Sequence, residues 1–377
     1  MKKLLLVATV QSHICQFHKP LVKMLHENGF EVHVAAKNNL AEKDGMKLDF
    51  VDKVFEVPFE RSPFILKNIS AYTALKKVID SDDYTAIHTN TPVGGILGRL
   101  AARKQRKRGA KVLYTAHGFH FYNGASKANW LIYYPIERFM CRFTDRLLNI
   151  CEEDFKLAGS KLKVKASRIH GVGADTSRFT VPADAEIKQL KSELGISEGK
   201  RLILCTGELN SNKNQITAIK AMARLKGEHP EAVLLLAGNG PFEGELRKAV
   251  ADLDLQENVV LLGYRKDIER FVKVADIIIS CSLREGLGMN LIEGMLCKKP
   301  VIATVNRGHK ELVHEGKNGF LVGGVDSEML YERIKLLLND EPKARAFGEM
   351  SYELAKAYSD TAVIAELTDI YKSTGVL

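Results

Sequence analysis

The chain has 377 residues, with 55 Lys+Arg against 46 Asp+Glu, 45% hydrophobic residues and 6 Cys. That length is too great for one ordinary core and suits two domains, while the apolar fraction excludes a disordered chain. The formal charge of +9 is uneven: residues 1–165 hold 27 basic and 16 acidic side chains, net +11, and the remainder is net −2.

The basic half calls for an anionic partner: a membrane surface, a phosphorylated acceptor or nucleic acid. Met1-Lys2-Lys3 followed by the apolar run Leu4–Val10 has the outline of a signal peptide. Gln11, Ser12 and His13 end it without a small-residue cleavage site, and it is far short of the roughly 20 residues that span a bilayer. It reads as a buried first strand. Further strand-like runs are Val32–Ala36, Ala86–Thr89, Val112–Ala116 and Leu147–Ile150, then Leu202–Thr206, Ala232–Ala237, Val259–Leu262, Asp276–Cys281, Val301–Thr304 and Phe320–Val322. Helical patterns lie between them, over Cys15–Asn28, Gly95–Arg108, Asn214–Lys226, Asp267–Val274 and Ser327–Leu338. Val/Ile/Leu strands alternating with helices predict an α/β, doubly wound architecture with parallel sheets covered on both faces.

Pro182-Ala183-Asp184 and the polar helix Ala185–Leu194 interrupt this pattern. They place the boundary near 180, giving domains 1–180 and 181–377, each the size of one Rossmann-like unit. The cleft between two such units is the default ligand site. A last helix, Thr361–Ser373, follows a complete second sheet and could cross back to brace the first domain. The six cysteines are scattered with no CxxC pair, which fits reduced core thiols in a cytosolic protein and no zinc site.

The richest segment chemically is Arg284-Glu285-Gly286-Leu287-Gly288-Met289-Asn290-Leu291-Ile292-Glu293, between a strand and a helix. Gly286 and Gly288 let backbone approach a ligand, and exposed amides at a helix N-terminus attract phosphate. Glu285 then falls in the loop and Glu293 two turns later. A helix cap with two solvated glutamates is the alternative reading of these residues.

A strand, two glutamates at this spacing, a helix and then Pro300-Val301-Ile302-Ala303-Thr304 resemble the signature of retaining GT-B glycosyltransferases of the polysaccharide and glycolipid group. Three further segments are similar to that family: Leu202–Leu209 with Lys213, Leu234–Pro241, and Val259–Tyr264. So is Asn318-Gly319 ahead of Phe320-Leu321-Val322. In the first half, Tyr114-Thr115-Ala116-His117-Gly118-Phe119-His120 looks like the strand that ends in an active-site histidine, and Gly171–Asp175 with Phe179 like the turn before the linker.

The resemblance implies a GT-B fold of two Rossmann-like domains and roles for particular residues. Glu285 would contact donor-sugar hydroxyls and Glu293 the ribose. Lys213 and the amides of Gly288 and Met289 would hold the diphosphate, with Gly207, Glu208, Gly240 and Asn290 in the same nucleotide-sugar site. Backbone at Tyr264 and Arg265 would meet the base. His117 would line the cleft, with His120, Gln11 and His13 on the acceptor side. Two departures from the family stand out. Glu208 occupies the usual arginine position, so it must turn away or pair with Lys213, and one cationic contact is either missing or supplied elsewhere, as by Arg284 or Arg307. The first-strand loop, Val10-Gln11-Ser12-His13, lacks the family's glycines.

On pattern alone, His13, His117, His120 and His309 also fit buried, hydrogen-bonded histidines. Asp80-Ser81-Asp82 matches a metal-binding DxD pattern but precedes its strand, so it reads as a solvated turn. No metal and no cofactor are expected. The cluster Arg99, Arg103, Lys104, Arg106, Lys107, Arg108 and Lys111 fits either a solvated helix end or attraction to anionic lipid headgroups. The segment Lys127–Phe143 interleaves aromatic and basic residues, as a membrane interface does. The expected activity is transfer of a hexose or N-acetylhexosamine from a nucleotide diphosphate sugar, UDP-linked, to a lipid-diphosphate-linked glycan in capsule or exopolysaccharide assembly. The expected location is cytoplasmic, peripheral at the inner face of the cell membrane, without nucleic acid. The competing readings are a GT-B-fold UDP-N-acetylglucosamine epimerase and a non-catalytic nucleotide- or nucleic-acid-binding module.

Overall fold

A computed structural model describes residues 2–42, 45–60, 62 and 65–377. Its strands, in chain order, are Lys2–Val10 (β1), Phe30–Lys37 (β2), Lys53–Glu56 (β3), Ala86–Asn90 (β4), Lys111–Ala116 (β5), Arg146–Asn149 (β6) and Ala166–Arg168 (β7). A second series follows: Arg201–Thr206 (β8), Ala232–Ala237 (β9), Val259–Gly263 (β10), Ile277–Ser280 (β11), Val301–Thr304 (β12) and Gly319–Val322 (β13). They form two sheets, ordered β3-β2-β1-β4-β5-β6-β7 and β10-β9-β8-β11-β12-β13. The ladders within both are parallel.

Parallel pairing follows from the residues. Leu4 to Ala8 and Leu234 with Leu236 are fully or nearly fully buried, as they must be when helices cover both faces of a sheet. In each sheet the chain first builds outward on one side, then returns to build on the other. The order therefore reverses between β1 and β4, and between β8 and β11. Loops leaving the carboxyl ends diverge at such a point and open a crevice for ligand.

The compact units are residues 1–173 with 360–377, and residues 174–359. The change of unit comes just before the Pro182 interruption that marks the boundary in the sequence. The helix Asp360–Thr374 is therefore part of the first unit, although it follows the second in the chain. It is tied there by polar contacts: Tyr371 Oη lies 2.6 Å from His88 Nδ1 on β4, Glu366 pairs with His170, and the Arg146 guanidinium donates to Ser373 and Thr374.

Several helices depart from the sequence pattern. The expected helix Cys15–Asn28 is two, Gln11–Phe17 and Lys19–Glu27, broken at His18 ahead of Pro20, because proline suits a first turn and disrupts an interior. The expected Gly95–Arg108 is Pro92–Ala101 and Arg103–Lys107. Among the described residues no helix is long and apolar enough to cross a membrane. The Asp80–Asp82 turn is engaged by lysines: Lys76 donates to Asp80 and Lys3 to Asp82 at 2.7 Å.

One buried ion pair anchors the first unit's helices. Arg99 is 0% exposed, donates from Nη2 to Glu137 Oε2 at 3.0 Å, and lies 4.0 Å over the Tyr114 ring. Removing one partner strands the other charge in the core, so Glu137→Ala should cost about 3–5 kcal/mol in urea unfolding. The double change Arg99→Met with Glu137→Leu, which removes both charges, should cost much less.

Candidate active site

In the second unit the carboxyl ends of β8, β9 and β10 are zipped together by their loops. Gly207 N donates to Ala237 O at 2.9 Å, Gly238 N to Gly263 O at 2.8 Å, and Leu209 N to Asn239 O at 3.0 Å. This requires backbone to touch backbone. Gly238 has φ +144°, and a Cβ there would sit 2.0 Å from Gly207 O, so no side chain is tolerated. The loop after β8 then delivers Lys213 to the switch point. The loop after β11 delivers Glu285 to the same place, and Lys213 Nζ lies 2.5 Å from Glu285 Oε1.

The helix Met289–Leu296 starts beside this pair, with Gly288 at its N-cap. Its first N–H groups have no partner within the helix, and Asn290 reaches back to Thr206 O at 3.4 Å. Lys213, Glu285, Gly288, Met289 and Asn290 thus share one edge of the sheet. Gly207, Gly240, Tyr264 and Arg265 lie on the adjoining loops. Tyr264 is exposed, while the Arg265 side chain is occupied by a two-point pairing with Asp267 at 2.9 and 2.8 Å. Glu208 is exposed, accepts from Asn210 Nδ2 at 3.1 Å, and leaves Lys213 to Glu285. Of the two outcomes open to it, turning away is the one the fold adopts.

Glu293 sits one turn into the helix, half-buried. Burial pushes its carboxyl up to about 7, against the pull of the Arg178 guanidinium, with Glu269 adding to the rise. Arg178 itself pairs with Glu269 at 2.5 Å. His309 is the buried, hydrogen-bonded histidine its pattern suggests: it is fully buried against Gly288 and its Nδ1 donates to Thr304 O at 2.7 Å. Arg178 was not accessible from motif spacing, and neither was the packing of His309 on Gly288, since both depend on how separate loops meet.

In the first unit the switch-point loops carry histidines. His13 and His117 meet edge to face at 4.8 Å, and His13 lies 5.1 Å from His18. His117 Nε2 is 3.3 Å from Asn90 Oδ1. His18, His88, Asn90, Thr115 and His117 line a cavity of about 20 Å³, room for a single water. Burial pushes His117 and His88 down to about 3 and His18 to about 4; it lowers His13 as well, aided by His117 and His18. These rings are neutral at physiological pH and act as hydrogen-bond partners, not cations. Beside them Thr91 holds φ +62°, and its hydroxyl accepts from Thr9 N at 3.0 Å. A β-branched residue in this conformation is strained.

Two acceptor-side candidates lie apart from the cluster. His120 stacks on Tyr133 at 4.5 Å, and Gln11 is buried with its amide 3.4 Å from Glu56. The polar run His88-Thr89-Asn90 at the end of β4 was the sequence signal for the missed residues. Among the described residues no group of three His, Cys, Asp or Glu is placed to hold a metal ion.

The chain has relatives among known proteins. The family described as "Glycosyl transferases group 1" matches residues 186–354, and "Glycosyl transferase 4-like" matches residues 3–150. The chain is 41% identical over 374 residues to EpsD of Bacillus subtilis (strain 168), covering 99% of this chain and 97% of that one. The chain belongs to the group 1 glycosyltransferases. This glycosyltransferase is also 28% identical, over 89% of its length and 88% of the relative's, to an Escherichia coli UDP-Gal:alpha-D-GlcNAc-diphosphoundecaprenol alpha-1,3-galactosyltransferase. Among solved structures, Anabaena Alr3699/HepE in complex with UDP superposes with a TM-score of 0.79 at 22% identity, covering 99% of this chain and 100% of that chain. That likeness establishes the GT-B fold.

The glycosyltransferase's Glu293 gives a pH test. Its folded carboxyl titrates near 7, whereas the ordinary value is 4.5. The folded state therefore holds a proton that the unfolded state has lost, and this group's contribution declines as pH rises from about 4.5 to about 7. Glu293→Gln, which cannot ionise, should raise the ligand-free Tm at pH 8, by about 2–4 °C for each kcal/mol of relief. The gain should vanish near pH 5 in a thermal-shift series. An equal shift at both pH values would mean the carboxyl is ionised throughout.

Proposed function

We propose that this glycosyltransferase moves a hexose or N-acetylhexosamine from a UDP-sugar to a hydroxyl of a lipid-diphosphate-linked glycan, with retention of anomeric configuration, in surface polysaccharide assembly such as capsule or exopolysaccharide. The observation that carries the donor half is the meeting of Lys213, Glu285 and the N-terminus of Met289–Leu296 at the β8/β11 switch point. Support for UDP and for a lipid-diphosphate acceptor comes from the Escherichia coli relative, whose name specifies both, and from HepE, which was solved with UDP.

The chemistry follows from the charges. The bond between the anomeric carbon and the β-phosphate oxygen breaks, and negative charge grows on the departing diphosphate. Lys213 and the amides of Gly288, Met289 and Asn290 stabilise it. The acceptor oxygen attacks from the same face, and its proton passes to the departing phosphate oxygen. Glu285, held by Lys213, accepts hydrogen bonds from sugar hydroxyls, and Glu293 from the ribose. On the acceptor side, the neutral His117 is an uncharged hydrogen-bond partner. In this scheme Lys213 and the helix amides neutralise the leaving group, so neither metal nor cofactor takes part. The basic first unit faces an anionic membrane, with the enzyme peripheral on the cytoplasmic side and no nucleic-acid partner.

Incubation with UDP-sugars and a short-chain prenyl-diphosphate glycan should give an α-linked product by NMR. Release of an altered free sugar nucleotide without acceptor would mark an epimerase instead. Lys213→Ala should lower kcat by about 10²–10³, the scale for losing one transition-state charge contact. Glu285→Gln should lower kcat with little change in the KM for donor, and Glu293→Ala should raise that KM.

A further inference from the structure

A pocket of about 480 Å³ opens in the first unit between helix Lys67–Asp80, the segment Arg103–Lys107 and the turn Cys141–Phe143. Six cations line it, Lys76, Arg103, Lys104, Arg106, Lys107 and Arg142, and no acid does. Two are matched by carboxylates outside the lining, Lys76 by Asp80 and Arg106 by Asp145. Among the described residues, Arg103, Lys104, Lys107 and Arg142 have no ion-pair partner. Arg103 instead spreads over the Phe143 ring and Arg142 over Phe139, each at 5.5 Å. Cations at a helix C-terminus suit the helix dipole, but that alone explains neither a concave site nor the aromatic rings beneath its guanidinium groups.

The pocket is not part of the strand edge that carries His117 and Asn90. Helix Pro92–Ala101 begins at the carboxyl end of β4 and runs back along the sheet. Arg103–Lys107 therefore lies at the amino end of β5, the opposite edge of the unit. A second feature adjoins it. On helix Lys127–Met140, Leu131 is 77% exposed and Phe139 46%, with Ile132 and Pro135 exposed between them. Positions 131, 135 and 139 form one stripe along the helix, about 12 Å long, and it ends at Arg142 beside the pocket. A soluble phosphate has no use for such a stripe. An amphiphile has: its phosphate enters the cationic pocket while its chains meet the apolar side chains.

We infer that this pocket is a headgroup site for an anionic phospholipid, separate from the acceptor site, and that it tethers the first unit to the bilayer. The inference rests on the membrane-surface reading above but on residues the transfer reaction does not use.

The test is flotation of the full chain with phosphatidylcholine vesicles, with and without phosphatidylglycerol. Lys104→Glu with Lys107→Glu should weaken binding to the anionic vesicles roughly tenfold or more. Lys19→Glu with Lys23→Glu, on another exposed helix, makes the same charge change and should alter it less than about twofold. Leu131→Ser with Phe139→Ser should weaken binding in a salt-independent way. Equal losses in the two charge-reversal variants would mean diffuse attraction, and full competition by glycerol phosphate would mean a soluble-anion site. Either result overturns the proposal. Turnover on a water-soluble acceptor should be unchanged by Lys104→Glu with Lys107→Glu. Absence of turnover in the unaltered enzyme would count against the proposed reaction while leaving the vesicle result intact.

Discussion

Parallel pairing is the constraint from which the rest follows. A parallel strand cannot be joined to its neighbour by a tight turn, so each crossover requires a connecting segment, usually a helix, and those helices bury both sheet faces. All carboxyl ends then point to one edge of each sheet, and reversal of strand order parts the loops at a single place. In the first unit that place lies between β1 and β4, in the second between β8 and β11. The histidine cluster occupies one and the Lys213–Glu285 pair the other. Chemistry is therefore positioned by topology before any individual side chain is chosen.

At the donor edge, electrostatics and close packing work together. Gly207 and Gly238 allow loops to touch, which brings the Lys213 ammonium to the helix N-terminus without a long, flexible reach. The Lys213–Glu285 pair keeps the lysine oriented in the absence of diphosphate. Glu208, an acid that would have opposed an anionic ligand here, is turned to Asn210 in solvent. The first unit uses the reverse device: burial strips the charge from His13, His18, His88 and His117, giving a polar but uncharged surface.

What the sequence disclosed depends on burial. The interior strands were legible because both faces are covered and the residues run Val, Ile and Leu. The edge strands β3 and β7 were not, since Lys53-Val54-Phe55-Glu56 is largely exposed and Ala166–Arg168 is three residues long. Six helices, over 67–80, 127–140, 152–161, 243–252, 307–312 and 341–355, went unassigned because they are short or their apolar stripes are narrow or partly outward-facing. The donor residues were legible since they cluster in two short segments. His18 and Arg178 join their sites only through tertiary contacts, which no local pattern records, whereas His88 and Asn90 stand in a polar run at a strand end.

The hydrogen bond between His88 and Tyr371 has a consequence for how the protein is made. β4 is synthesised early, but the phenol that satisfies its buried imidazole comes almost three hundred residues later. Until then the face of the first sheet that receives helix Asp360–Thr374 stands open, with His88 lacking one partner and Leu367 and Ile370 not yet present to cover apolar surface. The second unit, whose chain is continuous from 174 to 359, is complete before the first. On the ribosome, the half that begins the polypeptide is the half that finishes folding last.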